Sequence, residues 1–139
     1  MNINPIVIWV LRSPVHRVLS RSTMLIMYQG RKSGRQVTLP VNYVREGKSL
    51  WTLSVRKRKW WRNFRGGGEA RLRLQGREVD VLGLVVENED EMLGGLAVFL
   101  KGMPQVARYL KIWYDEHGEP DRDDMREAMR GRVMVRFRE

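Results

Sequence analysis

Short runs in which apolar and polar residues alternate fill most of the chain between residues 23 and 87. Residues 24–29, 36–45 and 49–54 each read as a strand, and Arg45-Glu46-Gly47-Lys48 suits a hairpin turn between the last two. Residues 70–75 and 78–86 make another hairpin around Gly76-Arg77, and Val133, Val135 and Phe137 alternate through 132–138 into a final strand. Elsewhere the spacing is helical. Ile6, Trp9 and Val10, then Val15, Val18 and Leu19, recur on either side of Pro14, which predicts a basic amphipathic helix over residues 4–20 in two pieces. Trp60, Trp61 and Phe64 suit a short helix that Gly66-Gly67-Gly68 stops. Asn88 can cap a helix running to about Leu100, with Glu89, Asp90 and Glu91 where the helix dipole favours anions. A second helical piece follows Pro104 and includes Tyr109, Ile112 and Trp113, and residues 121–129 read as a short acidic helix.

Six strands, mostly joined by hairpins and with helices inserted late, predict an α+β, mainly β, fold. The expected architecture is a six-stranded antiparallel barrel with peripheral helices. A length of 139 residues holds one domain with a full core and is short for two. The barrel falls at about 23–87 and 132–138, and the helical insertion at about 88–130.

Composition narrows the chemistry. The absence of cysteine excludes disulfides, thiolate zinc sites and cysteine nucleophiles, and fits an intracellular protein. His16 and His117 are the only histidines, too few for a multi-histidine metal site. No run reaches the roughly 18 apolar residues of a membrane span. Apolar residues 6–11 precede Arg12, Arg17 and Arg21, the reverse of a secretory signal, so the expected location is cytoplasmic.

A net charge of +10 calls for an anionic partner, whether nucleic acid, a membrane surface or a small polyanion. Residues 56–77 carry nine arginines and lysines against Glu69 alone, whereas 115–124 carry six acidic residues, so the positive field is local.

Gly30-Arg31-Lys32-Ser33-Gly34 follows the apolar run 24–28 and puts two cations and a hydroxyl between glycines. Such a loop can turn amide donors inward around an anion, or be a hairpin turn that is merely basic. It lacks the contiguous Gly-Lys-Ser of a nucleoside triphosphate loop, and no Gly-x-Gly-x-x-Gly follows any strand. Ser54 closes the third strand beside the cationic stretch 55–59 and reads equally as a cofactor contact or a plain strand end. Trp60 and Trp61 read first as packing on the barrel and second as a stacking platform for single-stranded nucleic acid. For Tyr109, Trp113 and Tyr114, core packing comes first and a pocket rim second.

Taken in order, these pieces resemble the deazaflavin-dependent nitroreductase family, small split β-barrel reductases, F420H2-dependent quinone reductases included, that use coenzyme F420. The likeness rests on residues 24–34, Leu39-Pro40-Val41-Asn42-Tyr43, the strand end at Ser54 and Trp60-Trp61-Arg62-Asn63. It covers residues 4–80 well and the remainder loosely. It implies an FMN-binding split-barrel-like fold and an oxidoreductase passing hydride from reduced deazaflavin to a quinone-like or nitroaromatic acceptor. Arg31, Lys32, Ser33, Gly34 and Arg35 would hold the phosphate and polyglutamate tail. Thr38, Leu39, Pro40, Ser54 and Val55 would lie against the ring, Trp61 and Asn63 would shape the pocket wall, and Tyr109 and Tyr114 would stand on the acceptor side as the catalytic candidates. A tail with several carboxylates and a phosphodiester requires such cations, and the ring requires an apolar slot. The sequence departs from the family where Arg35 follows Gly34 at once and where 55–59 replace a small glycine-containing loop, so FMN stays open as the alternative cofactor and a nucleic-acid-binding module as the alternative function. Split barrels of related families often pair, which makes a homodimer an expected partner state, and the basic N-terminal helix could touch a membrane surface.

Overall fold

A computed structural model of the chain describes residues 23–139; the helix expected over 4–20, with its membrane contact, lies outside them. Seven strands form one antiparallel sheet: β1 Thr23–Gln29, β2 Gln36–Asn42, β3 Val44–Glu46, β4 Ser49–Val55, β5 Gly68–Leu74, β6 Arg77–Val85 and β7 Arg132–Arg138, in the order β2-β1-β5-β6-β7-β4-β3. The seventh strand arises because the run expected over 36–45 divides at Tyr43. Residues before it pair with β1 and residues after it with β4. The two edges of the sheet are thus consecutive pieces of one stretch of chain, and the sheet must roll up to bring them together.

Strand alternation fills the inside of the roll. Met24, Ile26 and Tyr28 of β1, Leu72 and Leu74 of β5, and Val133, Val135 and Phe137 of β7 share one buried cluster. A 3-10 helix, Trp60–Phe64, enters the same cluster. Phe64 makes edge-to-face contacts with Tyr28, Trp60 and Phe137 at centroid distances of 5.4, 6.2 and 5.1 Å, the geometry aromatic quadrupoles favour. Gly83 leaves room for this arrangement, since a Cβ there would approach the Phe64 and Phe137 rings to 2.6 and 2.7 Å.

β4 is buried on both faces. Leu50 points into the barrel, and the Thr52 hydroxyl donates to the Val135 carbonyl at 2.8 Å. Trp51 belongs to a second cluster beneath three helices, α1 Glu89–Gly102, α2 Gln105–Tyr109 and α3 Arg122–Ala128. The side chains of Asn88 and Asp121 cap α1 and α3 by accepting from the amides of Glu91 and Asp124. The helix after Pro104 is shorter than its apolar spacing predicts: Lys111 adopts φ 60°, and Ile112 and Trp113 follow as loop. Among the described residues no helix is long and apolar enough to cross a membrane.

Candidate functional site

The loop between β1 and β2 starts just after the Gln29 and Gln36 pair. Its backbone is closed by bonds from the Gly30 amide to the Arg35 carbonyl, 2.8 Å, and from the Gly34 amide to the Gly30 carbonyl, 2.9 Å. Gly34 holds φ +69°, a conformation glycine adopts at little cost. The Ser33 hydroxyl accepts from the Arg35 amide at 3.2 Å. These bonds leave the Lys32 and Ser33 amides at the tip of the loop.

A second segment locks onto this loop. The Arg31 amide donates to Asn63 Oδ1 at 2.9 Å, and the Arg31 guanidinium donates to the carbonyls of Arg65 and Gly67, both at 2.7 Å. Asn63 in turn donates to the Trp60 carbonyl at 2.9 Å. Arg31 and Asn63 therefore clamp the 3-10 helix against the loop. Between the two segments lies an open groove of about 590 Å³, whose lining includes Arg31, Lys32, Ser33, Lys59, Arg62 and Arg65. None of these cations pairs with a carboxylate among the described residues.

Trp60 forms a wall of the groove and also of an adjoining slot of about 450 Å³, where it meets Pro40, Leu53, Phe99, Val106 and Tyr109. The indole is held by a bond from its Nε1 to Ser54 Oγ at 3.0 Å. A charged groove thus adjoins a mainly apolar slot, which Thr23, Asn42 and Arg58 also line, with one aromatic ring common to both.

A third depression, about 870 Å³, lies where β1, β5 and β6 face outward, and Arg71 and Asp80 line it. Arg71 pairs with Asp80 at 3.0 Å, and Glu69, Arg138 and Glu139 also line the depression, so it lacks the groove's excess of cations.

The structure sorts the residues singled out by sequence as follows. Arg31, Lys32, Ser33 and Asn63 come together at the groove, and Pro40 and Tyr109 at the slot. Gly34 and Arg35 complete the loop's backbone bonds. Leu39 is buried in the barrel core, and Thr38 sits opposite Met27 on β2. Ser54 bonds Trp60, and the Val55 carbonyl accepts from the Ser54 hydroxyl and the Arg58 amide. Trp61 is buried, with Nε1 donating to the Arg56 carbonyl at 3.0 Å. Tyr114 makes a bridge with Pro120 and lines neither cavity. Sequence reasoning passed over Lys59 and Arg62 as individual site residues. Their signal was the spacing of three, which places side chains one above the other on a 3-10 turn. Trp60 and Trp61 are each 1% exposed, so neither ring offers a face to a nucleic-acid base.

Burial pushes the Tyr28 phenol, beside Phe64 and the groove, above its ordinary range, with the charge of Arg58 pulling partly the other way.

Among solved structures the chain is similar to the F420-H2 dependent reductase FDR-A, with 16% identity over 83% of this chain and 94% of that one and a TM-score of 0.52. A domain-swapped dimer matches with 16% identity over 98% of this chain and 100% of that one, TM-score 0.56. The fold is a split β-barrel. This split barrel is also similar to the FAD and heme binding protein from Mycobacterium smegmatis, with 14% identity over 91% of this chain and 66% of that one, TM-score 0.54. No protein-family model matches the chain, and no curated protein matches it. The predicted mainly-β barrel with peripheral helices is the observed architecture, with seven strands in place of six.

Proposed function

We propose that this split barrel is an oxidoreductase that binds coenzyme F420 and carries out F420H2-dependent reduction of a quinone-like or nitroaromatic acceptor. The observation that carries the reading is the junction at Trp60 between a cationic groove and an apolar slot. A flat ring with a polyanionic tail fits that junction, the ring in the slot and the tail along the groove. The fold of F420-dependent neighbours is consistent with it.

In this reading Lys32, Lys59 and Arg62 attract the tail, and the tip amides of Lys32 and Ser33 offer it hydrogen bonds. Arg31 and Asn63 hold the two walls of the groove at fixed separation. Pro40, Leu53 and Trp60 keep water from one side of the slot, and Tyr109, 78% exposed, stands at its mouth where a proton from solvent can reach an acceptor. When bound, the reduced deazaflavin supplies the hydride. FMN is the weaker fit, because its single phosphate leaves most of the groove's cations unanswered.

Titration of the purified chain with oxidised coenzyme F420, followed by the cofactor's fluorescence, is expected to give saturable quenching. No change at micromolar cofactor overturns the proposal. Turnover of F420H2 with a quinone and with a nitroaromatic compound then assigns the acceptor class. The domain-swapped dimer among the structural neighbours supports pairing of two copies, which light scattering after size-exclusion chromatography checks.

A further inference from the structure

Beside the groove, three guanidiniums lie within about 6 Å of the centre of one buried ring. Arg56, Arg62 and Arg65 place their central carbons 5.2, 5.7 and 4.7 Å from the Trp61 ring centroid. All three residues are exposed, while Trp61 is buried beneath them. The molecule contains its own control for this motif. Arg136 lies 5.5 Å over Trp51, and there the charge is closed internally, with Glu91 at 3.1 Å and the Ser49 hydroxyl at 3.0 Å. At Trp61 none of the three arginines has a carboxylate partner among the described residues. The ring supplies only a weak attraction to each cation. It gathers three like charges, and no anion of the described chain answers them.

We infer that the Arg56, Arg62 and Arg65 triad on Trp61 is a binding site for a compact phosphate group carrying more than one negative charge, free or at the end of a larger molecule. Guanidiniums present planar forks that bind oxygens in pairs, and a terminal phosphate offers three acceptor oxygens where a carboxylate offers two. A run of nucleic acid is disfavoured, because the aromatic face that would stack a base is already covered. The site shares Arg62 and Arg65 with the groove's rim, adds Arg56, and does not rest on the redox reading.

Adjacent tryptophans make the test specific, since the Trp61 indole N–H reports the triad and the Trp60 indole N–H reports the groove and slot. The full chain, labelled with nitrogen-15 and assigned through its backbone, is titrated at low salt with inorganic pyrophosphate. The Trp61 indole resonance is expected to shift saturably. Arg56→Ala and Arg65→Ala are each expected to weaken binding about tenfold, the size of one charge-assisted hydrogen bond. Arg136→Ala leaves it unchanged. In a second arm, phosphatidylcholine vesicles carrying phosphatidic acid are tested by co-sedimentation; binding in either arm that Arg56→Ala weakens supports the site and identifies the source of the phosphate. No Trp61 shift with millimolar pyrophosphate together with no vesicle binding overturns it, as does an equal loss in Arg136→Ala. Tighter binding of oligothymidylate through the same arginines replaces it with a nucleic-acid surface. Arg56 lies outside the groove's lining, so Arg56→Ala is expected to weaken pyrophosphate binding while leaving coenzyme F420 binding unchanged, and either proposal can fail alone.

Discussion

The helix-covered side of the barrel and its groove side use the same residue, arginine, in opposite ways. Around α1 and α3 four arginines are neutralised in place: Arg122 with Asp90, Arg126 with Glu89 and Asp123, Arg130 with Glu127, Arg136 with Glu91. Around the β1–β2 loop and the 3-10 helix, Arg31 is spent on carbonyls, and Lys32, Lys59, Arg62 and Arg65 make no ion pair among the described residues. Charge on the first side holds elements together; charge on the second raises a field that only something outside the described chain can satisfy. The difference explains why the positive field of the described residues gathers on the groove side.

The strongest way to break the contrast is to show that the groove side is mere surface. Phe64→Ala removes the ring that seats the 3-10 helix against Tyr28, Trp60 and Phe137, and is expected to cost about 3–5 kcal/mol in urea unfolding. Arg31→Ala is next, because it frees two carbonyls and unclamps the walls: a loss of roughly 1–2 kcal/mol is expected together with weaker coenzyme binding. Lys59→Ala should separate the two properties. It is expected to lower affinity for coenzyme F420 about tenfold in the fluorescence titration, with an unfolding midpoint no lower than that of the parent chain. On the other side Glu91→Ala should do the converse, costing up to about 1 kcal/mol of stability and leaving ligand affinity alone.

The smallest effect is one of pH. Burial raises the folded-state pKa of Tyr28 and Tyr43 above the ordinary 10.0, so folding keeps both phenols neutral where the unfolded chain would ionise them. Their contribution to stability is intact below about pH 10 and is lost as pH rises through and beyond it. Tyrosinate absorbance for these two should therefore appear together with unfolding in an alkaline titration.

Much of this was legible in local sequence. Alternation located the strands, and Asn88 and Asp121 announced helix starts through their own side chains. What local pattern cannot show is which partner a residue finds across the fold. Asn63 looks like one polar residue on a short helix until its amide is seen holding the Arg31 backbone from 32 positions away. Ser54 ends a strand beside cations, yet its oxygen is engaged by Trp60. The break at Tyr43 is marked locally only by Asn42, and it coincides with a change of pairing partner from β1 to β4 that local pattern does not show. Lys111 likewise takes a left-handed conformation that its side chain does nothing to advertise.

β7 is seventh in chain order but lies between β6 and β4 in the sheet. During synthesis both of those strands wait for residues 132–138, and the pairing of Thr52 with Val135 spans most of the distance along the chain. Contacts this remote are slow to form, so the nascent polypeptide carries two unsatisfied strand edges almost until its last described residues emerge. Loss of β7 by premature termination would leave those edges open to strands from other chains, making aggregation, rather than a trimmed but working barrel, the expected fate of a shortened product.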